Sequence, residues 1–99
     1  MSNAVYFVSY KLKKGASVPD FLLAAETLCK DYMSKQKGFI SWKQVVDGET
    51  WADILTVETM EDAKRISTPT EPNPLAEAFY AYINLNSCRA HLFSVERSY

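Results

Sequence analysis

FISWKQVVDGETWADILTVE, residues 39–58, is the stretch whose reading decides the fold. Two runs rich in β-branched and aromatic residues flank Asp47-Gly48, a dipeptide suited to a type I′ turn because glycine takes φ > 0 without steric cost. A two-residue loop there predicts a hairpin and fixes its partners: Val46 opposite Glu49, Gln44 opposite Trp51, Trp42 opposite Asp53 and Ile40 opposite Leu55. One face then gathers Trp42, Trp51, Gln44 and Asp53. The other carries Phe39, Ser41, Lys43 and Val45 with Thr50, Ala52, Ile54 and Thr56.

Upstream, AVYFVSYKLK (4–13) reads as a strand that is apolar at both parities, so it belongs inside a sheet. Ser17-Val18-Pro19-Asp20 is a helix start: a cap, a proline where the amide is unpaired anyway, and an acid at the positive end of the dipole. Phe21, Ala25, Leu28 and Tyr32 recur at helical spacing, which predicts a helix over 18–36 with Gly38 as its stop. Downstream, Thr59-Met60-Glu61-Asp62 starts a second helix. TPTEPNP (68–74) interrupts it, and Asn73-Pro74 restarts it to about residue 84. A last strand follows over 88–97, with His91, Phe93 and Val95 on one face and Cys88, Ala90 and Leu92 on the other.

The order β-α-β-β-α-β over residues 1–99 is a single-domain, ferredoxin-like α+β arrangement with a four-stranded antiparallel sheet and both helices on one face. The uncovered face still carries bulky apolar side chains, and a large apolar patch marks an interface. Two sheets packed face to face as a homodimer answer that need and can enclose a cavity. Balanced charge, 11 basic against 12 acidic residues, gives no field for nucleic acid or anionic lipid. No apolar run approaches the roughly 20 residues that span a bilayer, and the first four residues lack the character of a signal peptide. The expected location is cytoplasmic, with Cys29 and Cys88 as buried free thiols.

With these elements in place, the chain resembles the dimeric α+β barrel superfamily, near the antibiotic biosynthesis monooxygenase family. The carriers are Tyr10-Lys11-Leu12-Lys13-Lys14-Gly15, leaving the first strand, and Val57-Glu58-Thr59-Met60-Glu61-Asp62-Ala63, passing from third strand to second helix. The resemblance implies cofactor-independent oxygenation of a small aromatic or polyketide-like molecule. It also brings haem-degrading relatives, whose Asn/Trp/His constellation has no counterpart placed here. The family often has a histidine late in the first segment of the second helix; Ile66-Ser67-Thr68 stands there instead.

Two side chains are candidate bases. Asp53 sits mid-strand, where aspartate is disfavoured, and a buried carboxylate must be paired, solvated in a cavity or shifted in pKa. His91 is the one histidine of the chain, the side-chain type suited to general-base work near neutrality, but a lone histidine is more often packed on a sheet. Trp42, Trp51, Gln44 and Tyr6 are the candidate ligand contacts, with core or interface packing as the other role of the indoles. No cofactor or metal is expected, because no nucleotide loop, serine elbow or convergent ligand cluster is present. Two functions stay open on the residues alone: an enzyme acting on a small flat molecule, or a non-catalytic dimeric module that binds a metabolite or partner.

Overall fold

The computed structural model describes residues 2–99; Met1, the first residue of the expected domain and leader reading, lies outside them. Strands β1 (Ala4–Leu12), β2 (Phe39–Asp47), β3 (Thr50–Val57) and β4 (Ile83–Ser94) alternate with helices α1 (Val18–Asp31), α2 (Met60–Ser67) and α3 (Pro74–Tyr80). The sheet is four-stranded in the order β2-β3-β1-β4, and every pairing is antiparallel. This is the ferredoxin-like βαββαβ arrangement, with β1 inside the sheet as its two apolar faces require.

The hairpin turns one residue later than Asp47-Gly48. Asp47 pairs with Thr50, so Gly48-Glu49 form the loop. Gly48 takes φ +60°, and among the described residues only glycines have positive φ. That is the type II′ pattern, which needs one left-handed residue, whereas a type I′ turn at 47–48 would force Asp47 there as well. The pairing therefore slides: Gln44 lies opposite Asp53, Trp42 opposite Leu55 and Val46 opposite Trp51. The slide moves partners by two, so Trp42, Gln44, Trp51 and Asp53 keep one face. A bulge between Phe39 and Ser41 breaks the alternation at the start of β2. It turns Phe39 into the core beside Met60 and Ala63 and leaves Ile40 exposed, the reverse of the predicted parity.

Helix α1 begins as read: the Ser17 hydroxyl accepts from the Asp20 amide at 3.3 Å, with Pro19 in the first turn. It ends at Asp31 rather than Gln36, because Tyr32 leaves helical backbone (φ −136°) and a short 3-10 turn, Met33–Lys35, follows. The second helical segment is split where the prolines require. The Asn73 side chain caps α3 by accepting from Leu75 and Ala76. Strand β4 starts at Ile83, not Cys88. The Asn84–Ser87 stretch is an irregularity within the strand, and the Ser87 hydroxyl takes the Lys11 amide at 2.8 Å.

All three helices lie on one face. Phe21, Ala25 and Leu28 from α1 and Phe79 from α3 close on Tyr10 and Ile83, while Ala63 of α2 packs with Ala4, Leu55 and Val57. The approach of α2 to the β2 entry is tight. Gly38 has φ +88°, and a Cβ built there would collide with the Asp62 carboxylate. That carboxylate accepts from Thr59 at 2.9 Å and from Arg65 at 2.8 Å, so it cannot swing away freely. Gly38→Ala therefore adds left-handed strain to a clash, and a loss of about 2 kcal/mol or more is expected in chemical denaturation.

Candidate functional site

The cavity lies between the helices and the face that carries the hairpin's polar-aromatic set. Its wall includes Tyr6, Val8 and Tyr10 from β1, Trp42 from β2, Asp53 and Leu55 from β3, Cys88 from β4, and Phe79 and Tyr80 from α3. The lining is overwhelmingly apolar, and Asp53 is its one carboxylate. The cavity volume is about 50 Å³. That holds a water or two; a dry cavity that admits benzene is roughly 150 Å³. A ring-sized ligand therefore requires the mouth to widen, and Tyr80, 42% exposed, stands at that wall.

Antiparallel register sets the chemistry. Asp53 lies opposite Val8 on β1, so Tyr10, two residues along, is its diagonal neighbour. The Tyr10 hydroxyl donates to Asp53 Oδ1 at 2.7 Å. Burial raises the Asp53 pKa from 3.8 to about 6, against the opposing pull of the nearby donors Tyr10, Trp42 and Gln44. Burial and the neighbouring carboxylate push Tyr10 well above the ordinary phenol range, so the shared proton stays on the tyrosine. Tyr80 is pushed up to about 12, chiefly by burial. At neutral pH Asp53 is thus a half-buried carboxylate with one oxygen held and a weak, matched affinity for a proton.

Two donors beside it are turned on the carboxylate. Trp42 Nε1 and Gln44 Nε2 are buried and complete no hydrogen bond, although both lie close enough to Asp53 to favour its ionised form. Tyr10 is the donor whose loss tests this balance. Tyr10→Phe removes a bond that favours the carboxylate, so the Asp53 pKa should rise further. A raised native pKa lowers stability as pH climbs past the unfolded value. The variant should therefore lose more stability near pH 8 than near pH 4, as measured by urea unfolding at both.

The other sequence-predicted residues divide. Tyr6 and Trp42 line the cavity, and Gln44 sits behind it across from Asp53. Trp51 turns instead into the core, edge-on to Phe21 at 5.2 Å. His91 is not brought to Asp53. It pairs with Phe7 on the opposite face of the sheet, is exposed, and stacks on Phe93 at 5.7 Å. The reason is parity: Ala90 and Leu92 share Asp53's side, so His91 cannot. Tyr10, Phe79, Tyr80 and Cys88 also line the wall; Tyr10 and Tyr80 are two of the tyrosines whose hydroxyls the sequence offers to a cavity, with core packing as their commoner role, whereas nothing in it points to Phe79 or Cys88. Tyr10 shares its parity with Tyr6, but its meeting with Asp53 needs the β1–β3 register, which no local signal supplies. Both cysteines are free and half-buried.

No family model matches the chain, and no curated protein matches it in sequence. Solved structures do match. SnoaB, a cofactor-independent oxygenase from Streptomyces nogalater, superposes with a TM-score of 0.77 at 12% identity, over 99% of this chain and 97% of that one. The fold is shared with an oxygenase. A candidate antibiotic biosynthesis monooxygenase from Caulobacter crescentus matches at TM-score 0.74 and 7% identity, over 97% and 92% of the two chains. A dimeric protein of unknown function and ferredoxin-like fold from Bacteroides fragilis matches at 0.64 and 16%, over 94% and 96%. At these identities the likeness establishes the fold. The haem-degrading alternative finds no fit: the cavity wall holds no histidine and its volume is far below a haem's. Among the described residues no group of three His, Cys, Asp or Glu side chains converges on a metal position, and no helix is long and apolar enough to cross a membrane.

Proposed function

We propose that the chain binds a small hydroxyaromatic or polyketide-like molecule beside Asp53 and oxygenates it without a cofactor. The observation that carries this reading is the lone carboxylate of an apolar cavity, held by Tyr10 at 2.7 Å and raised to about 6. Such a group takes a proton from a weakly acidic O–H or C–H at neutral pH. The resulting substrate anion is electron-rich enough to reduce dioxygen itself. One oxygen atom enters the substrate carbon, turning a ring CH₂ into C=O, and the other leaves as water with the two hydrogens. The four electrons that dioxygen accepts all come from the substrate. The protein's part is the base, the dry wall and the positioning.

The assay is oxygen uptake with reduced, ring-CH₂-bearing hydroxyaromatics. Uptake that Asp53→Asn abolishes supports the reading. Binding with no uptake for any of them supports the second reading, a non-catalytic metabolite-binding module.

The working unit in this proposal is a homodimer. The face away from the helices carries Val5, Phe7, Ile54, Val45 and Phe93, and the last two are 45% and 50% exposed. A second copy laid on this face removes that apolar area from water, and His91 then sits at the interface rather than at a catalytic centre. Light scattering should give twice the chain mass. Phe93→Asp, at an exposed position that the fold does not need, should give folded monomer.

A further inference from the structure

The prolines that split the second helical segment also uncover part of the sheet. Helix α2 stops at Ser67 and α3 starts at Pro74. Along β4 the helix-facing side chains are Cys88, Ala90 and Leu92. Leu92 packs into the cluster that Ala63 of α2 builds, and Cys88 packs against the one that holds Phe79 of α3. Ala90, between them, is exposed. The helical layer is therefore open above Ala90. A sheet position that meets water is commonly polar; alanine there gives a small apolar floor instead.

This opening leads to the base. Val8 pairs with Asp53 on one side and with Ala90 on the other, so one row across the sheet runs Asp53, Val8, Ala90. At strand spacings of about 4.8 Å the row takes roughly 10 Å from Asp53 to the sheet edge. An open depression of about 200 Å³, bounded by Ser67, Ala90 and Leu92, sits at its outer end. Tyr6 lines both this depression and the inner cavity. It stands in the next row, between Leu55 on the cavity side and Leu92 on the depression side. Burial, then Cys88, then Asp53 raise its phenol, in keeping with a ring whose tip lies over the row.

We infer that the gap between α2 and α3 is the ligand entrance, that Tyr6 is the partition between this vestibule and the cavity, and that Ala90 is the residue that sets what passes. With the Tyr6 ring turned aside, depression and cavity become one space, above the roughly 150 Å³ of a cavity that admits benzene. The 50 Å³ inside is then the inner end of the site and not its whole. Turning one half-buried side chain between rotamers needs no backbone movement. The ligand that fits is flat and apolar, with its acidic end at Asp53 and its other end on Ala90. A side chain larger than alanine at position 90 stands in that path. The entrance opens on the helix side, so a second copy laid on the opposite face leaves it free. This inference rests on the proposed function for the cavity as the ligand site, but the route is measurable without ligand or turnover.

Cys88, on the cavity wall, is the reporter. The chain has two cysteines, so in a Cys29→Ala background Cys88 is the one thiol. The probe is dithiodipyridine, a neutral aromatic disulfide. The Cys88 sulfur bonds to one of its sulfurs and the other leaves as thiopyridone, which is read by absorbance. Reaction through a fractionally populated open state scales with that fraction, so Tyr6→Ala should speed it about 10-fold or more. Ala90→Trp should slow it about 10-fold, in the Tyr6→Ala background as well. Tryptophan suits an exposed strand position, and Ala90→Trp should melt with the wild type. Ser67→Trp, on the opposite rim of the depression, supplies a second block and should also slow the reaction. Leu23→Trp, in the groove between α1 and α3, should leave the rate unchanged. Rates that ignore both Ala90→Trp and Ser67→Trp, or that fall in Leu23→Trp instead, overturn the inference. So does a Tyr6→Ala rate equal to that of the wild type. Oxygen uptake that Asp53→Asn abolishes and Ala90→Trp leaves intact would keep the proposed function and remove the entrance alone.

Discussion

Asp53→Asn is expected to do two opposite things: raise stability at neutral pH and abolish turnover. The folded chain holds the Asp53 proton more tightly than the unfolded chain does, since burial lifts its pKa from 3.8 to about 6. Stability from this group is then fully present below about pH 4 and is lost as pH climbs through 6. Above that, the ionised carboxylate costs about 3 kcal/mol. Asparagine has the same shape and does not titrate. Near pH 8 the variant should gain about 1–3 kcal/mol, with the upper value reduced by the amide's own need for partners. For a chain of this size that is a Tm rise of roughly 5–15 °C. Near pH 4 the two proteins should melt together. The same substitution removes the base, with an expected fall in oxygen uptake of about 10²–10⁴. A variant equally destabilised at both pH values would mean that Tyr10, Trp42 and Gln44 make the carboxylate a net asset to the fold.

Phe21→Ala is expected to cost about 3–5 kcal/mol, the largest stability loss of any single truncation here. Phe21 is fully buried and central to the aromatic cluster. Its ring stacks on Phe79 at 5.2 Å, meets Trp51 edge-on at 5.2 Å, and lies 6.1 Å from Tyr10 and 6.2 Å from Tyr82. It thus ties α1, α3, β1 and β3 together, and Tyr10 carries the Asp53 bond. The cavity left behind borders the site wall, so collapse around it would move Phe79 and Tyr10. Urea unfolding measures the loss. A cost below about 1.5 kcal/mol would mean that the cluster repacks and that α1 is held elsewhere.

Much of this was legible in the chain. Alternation in 39–58, the caps at Ser17, Thr59 and Asn73, and the prolines of 68–74 set the order of the elements but not the end of α1 or the start of β4, and parity placed Trp42, Gln44 and Asp53 on one face. The slide of the turn to Gly48-Glu49 was not legible, because a type I′ turn at Asp47-Gly48 and a type II′ turn one residue on both put Gly48 at positive φ and differ in whether Asp47 joins it. The Phe39–Ser41 bulge was likewise hidden: it answers a tertiary demand, the packing of Phe39 on α2. His91 was a reasonable candidate by chemistry and is excluded from the cavity by parity alone. Tyr10, the residue that holds Asp53, depends on a β1–β3 register between segments some forty residues apart. Local signals do not encode that pairing.

The most direct measurement is the titration of the Asp53 carboxyl itself by carbon-detected NMR in the wild-type chain. A midpoint near 6 is expected, moving upward in Tyr10→Phe. A midpoint near 4 that does not respond to Tyr10 would contradict the buried, tyrosine-held base on which the functional reading stands.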